Sequence, residues 1–139
     1  MSYKVTSEQK AGYMHAVVTG TNSKENVMSY LADILHECMD RDCFRVLIEE
    51  RLEGPRLNTT EVYEIASQEQ AHAARRRPVI AYVDVNALNL SNMKFAEDVA
   101  VNRGKSVRVF PTVTDAARWL EHLDDTGTRP DAASHANKQ

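Results

Sequence analysis

Acidic residues that could do chemistry stand at the ends of two short apolar runs. Glu49 and Glu50 close the run RVLIEE, and Asp84 closes VIAYVD. Two carboxylates on neighbouring strand ends could hold a metal or act as acid and base. If both runs are parallel strands, these groups lie at the carboxyl edge of a sheet, where open α/β folds bind their ligands. The same edge nominates Arg51 and Arg56 after the first run, Asn86 and Asn89 after the second, and Pro111 to Thr114 after a later one. Asn58, Thr59 and Thr60 begin a helix and add unpaired backbone N–H groups, beside which Arg56 favours an anionic group. Glu49 and Glu50 point to opposite faces for as long as their strand continues. The plainer account makes all three carboxylates solvated strand-end charges.

Other chemistry is poorly supplied. His36 and Cys38 are two apart on a helix and share no face; His15 lies mid-strand, His72 and His122 on helix surfaces and His135 near the end. Cys43 has no activating base nearby, so no catalytic thiol is expected. Zinc spacing, a phosphate-binding glycine loop and a Gly-x-Ser-x-Gly elbow are all absent from the sequence. No catalytic residue, metal or cofactor is therefore assigned. Arg75-Arg76-Arg77 could suggest nucleic acid, but a helix C-terminus accounts for such a run.

The elements that would position these groups follow from periodicity and caps. Tyr3 to Gln9 and Tyr13 to Val18 read as an antiparallel hairpin turning at Lys10-Ala11-Gly12. A first helix from Ser23 to about Met39, capped by Asn22 with Glu25, buries Val27, Leu31, Ile34, Leu35 and Cys38. Strand 45–50 follows, then a loop from Arg51 to Leu57. A second helix starts at the cap Asn58 with Glu61, buries Val62, Ile65, Ala66 and Ala73, and runs to the arginines before Pro78. Strand 79–84 leads through an asparagine-rich loop to a third helix capped by Ser91 and stopped at Gly104. Strand 105–110 precedes a fourth helix, capped by Thr112 and Asp115, with Val113, Ala116, Ala117, Leu120 and Leu123 on its core face. The order ββαβαβαβα specifies an α/β fold: a mostly parallel sheet with an N-terminal antiparallel hairpin and helices on both faces. One domain spans 1–124, and the polar segment 125–139 is expected to be a disordered tail.

Composition limits the partners. A chain of 139 residues with net charge -3 lacks the basic field of a nucleic-acid binder. No run approaches the length of a membrane span and the first ten residues hold no apolar stretch, so neither an integral membrane association nor a signal peptide is expected. Two cysteines read as reduced core thiols imply a cytoplasmic setting.

The last third carries a family pattern. Ala81-Tyr82-Val83-Asp84 is followed by Phe95-Ala96, Asn102-Arg103-Gly104, Val107-Arg108-Val109-Phe110 and Ala116-Ala117-Arg118-Trp119-Leu120. Together with the hairpin, first helix and RVLIEE strand in matching order, this resembles the SpoIIAA-like branch of the STAS superfamily, itself similar to the lipid-binding CRAL-TRIO domains. The resemblance covers about Tyr3 to Leu123. It implies a non-enzymatic regulatory or partner-binding module, whose partner is a protein or a small molecule, with a homodimer also open. Anti-anti-sigma members are phosphorylated at the start of the helix after the central strand, which maps the candidate modification to Thr59 or Thr60. Here Glu50-Arg51-Leu52-Glu53 replaces the aspartate-plus-serine arrangement of those proteins, and capping explains the threonines equally well. The CRAL-TRIO likeness implies an alternative: a carrier of an apolar or anionic ligand, with Met28, Met39, Tyr63 and Met93 as candidate cavity residues. An enzyme using Glu49, Glu50 or Asp84 is the third expectation.

Overall fold

β-branched and aliphatic residues in alternation make the first two strands, and continuous apolar runs make the next two. The computed structural model describes residues 2–67, 78–85 and 90–123. Its elements are β1 (Tyr3–Gln9), β2 (Met14–Thr21), α1 (Lys24–Arg41), β3 (Arg45–Glu53), α2 (Thr59–Ala66), β4 (Val79–Asp84), α3 (Leu90–Asn102), β5 (Ser106–Val109) and α4 (Val113–Glu121). The strands form one sheet in chain order, β1-β2-β3-β4-β5. β1 and β2 are antiparallel; β2, β3, β4 and β5 are parallel. The α/β class and the order ββαβαβαβα are as the sequence indicates.

Because strand order follows chain order, the three crossover helices return on the same face. α1 packs there on Met14, Ala16, Val18, Val46, Ile48 and Leu52, through Val27, Tyr30, Ile34 and Cys38. α2 lies beside α1, and α3 beside α2 and β5. α4 takes the opposite face, where Ala116, Trp119, Leu120 and Leu123 cover Leu47, Val79, Ala81 and Val83. Successive residues along β3 therefore feed two separate cores, Val46 and Ile48 one and Leu47 the other. On the α4 side, Trp119 stacks obliquely on Phe110 with ring centroids 5.5 Å apart, and Arg108 lies over both rings.

Several boundaries differ from the sequence reading. α1 is capped by Ser23, whose hydroxyl accepts from the Asn26 N–H, and not by Asn22. Asn22 instead donates its side-chain amide to the Pro55 carbonyl at 2.8 Å. β3 continues through Arg51, Leu52 and Glu53, which pair with Thr19, Gly20 and Thr21, so the expected loop begins only at Gly54. Leu52 is fully buried, and that burial extends the strand past its charged stretch. α3 spans Leu90–Asn102, so Ser91, expected just ahead of the helix, falls within it. β2 starts at Met14 and reaches Thr21. The described part of α2 ends at Ala66; His72, Ala73, the arginine run 75–77 and segment 125–139 lie outside the described residues.

The cap of α2 is complete. Asn58 Oδ1 accepts from the Glu61 N–H at 2.8 Å, and Glu61 Oε1 accepts from the Asn58 N–H at 3.0 Å. Asn58→Ala removes one arm of that box, and chemical denaturation should show a loss of about 1 kcal/mol.

Candidate functional site

Parallel register brings Glu50 of β3 directly beside Asp84 of β4, both on the face that carries α1. Only 5% of Glu50 is exposed. A carboxyl there must find donors or give up its charge. Two phenols supply them: Tyr30 of α1 and Tyr82 of β4 both donate to Glu50 Oε2, the Tyr82 bond at 2.5 Å. The two hydroxyls also touch each other at 2.6 Å. Burial is the largest influence on Glu50 and raises its pKa to about 7; the Asp84 carboxylate adds to the rise, and the tyrosine bonds oppose it. Burial beside Glu50 pushes both phenols well above their ordinary range.

Above this group Asp84 is tied to Arg56, Oδ2 to Nη1 at 3.3 Å. The same guanidinium donates to the carbonyls of Leu52 at 3.2 Å and Gly54 at 3.3 Å. Arg56 is thus a clamp that closes the turn between β3 and α2 onto the end of β4. The backbone adds to it: the Val85 N–H donates to the Glu50 carbonyl at 3.0 Å.

Glu49 points the other way, as alternation requires. His15 Nε2 meets Glu49 Oε1 at 2.8 Å, and Arg51 binds Glu49 Oε2 at 2.5 Å. Burial alone would raise Glu49, but the bonds from His15 and Arg51 outweigh it and hold the carboxyl below its ordinary range. Adjacent glutamates on one strand therefore sit in opposite electrostatic settings.

Of the residues nominated from sequence, the structure brings Glu50, Asp84 and Arg56 together. Asn58, Thr59 and Thr60 follow them at the start of α2, all exposed. Arg51 goes to the opposite face with Glu49. Asn86 and Asn89 lie outside the described residues. Of the residues suggested to line a cavity, Met39 and Tyr63 are exposed, and Tyr63 accepts a bond from Arg103 at 3.0 Å. Among the described residues no cluster of three or more His, Cys, Asp or Glu is placed to hold a metal ion, and no helix is long and apolar enough to cross a membrane. Both thiols are free; burial raises Cys38 to about 12.

Sequence reasoning missed the two phenols. The signal for Tyr30 was present: it falls three residues after Val27 and four before Ile34, on the buried stripe of α1. Tyr82 alternates with Ala81 and Val83, which places it on the Glu50 face. No protein-family model matches the chain, and comparison with curated proteins found no match.

Proposed function

We propose that this chain is a non-enzymatic regulatory or binding module of the SpoIIAA-like STAS type, working through the rim where β3 and β4 end and α2 begins. One observation carries the reading. The rim carboxylates are engaged inside the protein, Glu50 by two tyrosines, Asp84 by Arg56 and Glu49 by His15 and Arg51, whereas the Thr59 and Thr60 side chains stand exposed in the first turn of α2. The groups suited to acid–base work are thus occupied by structure, and the groups suited to modification or contact face outward. A phosphoryl group on Thr59 would sit where the helix dipole favours negative charge, and it would change the sign of the surface offered to a partner. The element order from β2 to α4 agrees with the resemblance that suggested this function.

The test combines two measurements on the full chain. Intact-mass analysis of protein from its native cell is expected to find a fraction heavier by one phosphoryl group, placed on Thr59 or Thr60 by fragmentation. Capture of partners by wild type and by the Thr59→Asp, Thr60→Asp double variant is expected to differ. Unmodified threonines together with identical partner sets would overturn the reading. Arg56→Ala is a poor probe here, because its clamp role makes its loss a folding defect.

A further inference from the structure

The two edges of the sheet are treated differently, and the difference points to an assembly. β5 is a four-residue edge. Its Phe110 N–H turns inward to Tyr82, which leaves the Val109 N–H facing outward. A side chain closes that group: Glu97 Oε1 accepts from the Val109 N–H at 2.8 Å, and Lys94 holds the other Glu97 oxygen at 2.7 Å. An edge whose outward donor is taken by a buried carboxylate cannot accept another strand there.

β1 has no such protection. It runs seven residues, Tyr3–Gln9, without proline and without a break in its register with β2. The bonds at its two ends, Lys10 N–H to Tyr13 C=O and Thr21 N–H to Ser2 C=O, show that even-numbered residues of β1 bond to β2. Alternation then turns the N–H and C=O groups of Tyr3, Val5, Ser7 and Gln9 to the outer edge. Among the described residues no strand lies beyond them.

The charges on this strand are arranged to meet their own copy. Lys4 and Glu8 are two positions either side of Thr6. Both are exposed, on the face without α1. A second β1 laid antiparallel, with a twofold axis through Thr6, sets Lys4 opposite the copy's Glu8 and Glu8 opposite its Lys4. The same register pairs Tyr3 with Gln9 and Val5 with Ser7, the residues whose backbone groups point outward, so each pair exchanges both of its hydrogen bonds. Shifting the register by two residues in either direction breaks the charge match. An axis normal to the sheet keeps α1 of both copies on the same face. We propose that β1 is a dimerisation edge, through which two copies of this chain join their sheets antiparallel about Thr6.

Sedimentation of the full chain from micromolar to millimolar concentration tests this. Wild type is expected to approach twice the 15.7 kDa chain mass. Ser7→Pro removes an outward N–H that β2 does not use, and edge strands tolerate proline there, so this variant is expected to remain monomeric with an unchanged circular dichroism spectrum. Lys4→Glu is expected to weaken the dimer about tenfold, since it turns two attractive cross-strand pairs into repulsive ones. Adding Glu8→Lys to Lys4→Glu is expected to restore association. A wild type that stays monomeric throughout, a dimer undiminished by either single variant, or a charge swap that restores nothing would each overturn the proposal.

Discussion

Glu50→Gln is expected to make the protein more stable than wild type in mildly alkaline solution, with the advantage vanishing toward acid pH. The wild-type carboxyl titrates near 7 in the folded protein, against an ordinary value of 4.5. A carboxyl raised on folding contributes stability that is fully present below its unfolded pKa and is lost as pH rises through the folded one. Between about pH 4.5 and 8 the wild type therefore loses about 3 kcal/mol through this group. Glutamine reproduces the protonated form: its oxygen accepts from Tyr30 and Tyr82, and its amide has the neighbouring Asp84 carboxylate to donate to. Urea denaturation of both proteins across this range should show the variant gaining about 3 kcal/mol on wild type from the acid to the alkaline end. Parallel curves would show that Glu50 does not carry the proton. Glu49 runs with the opposite sign, because its depressed pKa contributes stability that disappears as pH falls. Acid unfolding and alkaline weakening thus have separate origins on the two sides of β3.

Gly20→Ala is expected to detach the start of β1. Gly20 has φ +129, a backbone conformation that side-chain-bearing residues rarely adopt. A Cβ there would lie 2.5 Å from the Ser2 carbonyl oxygen and 2.6 Å from Tyr3 Cα. Neither neighbour can yield cheaply: the Ser2 oxygen accepts from Thr21 N–H and Asn26 Nδ2, and Tyr3 holds Asp33 of α1 through its hydroxyl. Backbone strain and overpacking each cost about 1–3 kcal/mol, so the combined loss is about 2–6 kcal/mol. The urea midpoint should fall by about 1–2 M, and amide exchange at Val5 should accelerate more than at Val46. An unchanged midpoint would mean that β1 shifts away at no cost and contributes little to the fold.

The fold was legible in the sequence because its signals are local and repeated. Apolar runs at 45–50 and 79–84, the Asn58–Glu61 and Thr112–Asp115 caps and the positive-φ Gly104 each stand where the chain alone places them. Boundaries failed where tertiary contacts decide. Leu52 draws a charged segment into β3, and Ser23 displaces Asn22 as a cap because Asn22 is engaged by Pro55. For the site, strand-end logic found Glu50, Asp84 and Arg56, yet it made Arg56 an anion trap. The side chain is occupied by Asp84 and two carbonyls, a fact that depends on the path of the turn and not on residue type. The pairing of Glu49 with His15, 34 residues away, requires the strand register and has no local signature.

The single tryptophan of the chain lies on the side of the sheet away from Glu50. Its indole is 8% exposed, packed on Phe110 beneath Arg108, and among the described residues its N–H has no acceptor. Emission from this ring, excited beyond the tyrosine absorption band, therefore reports the seating of the last helix from the compartment opposite Tyr30 and Tyr82. One native chromophore thus watches a single layer of the molecule.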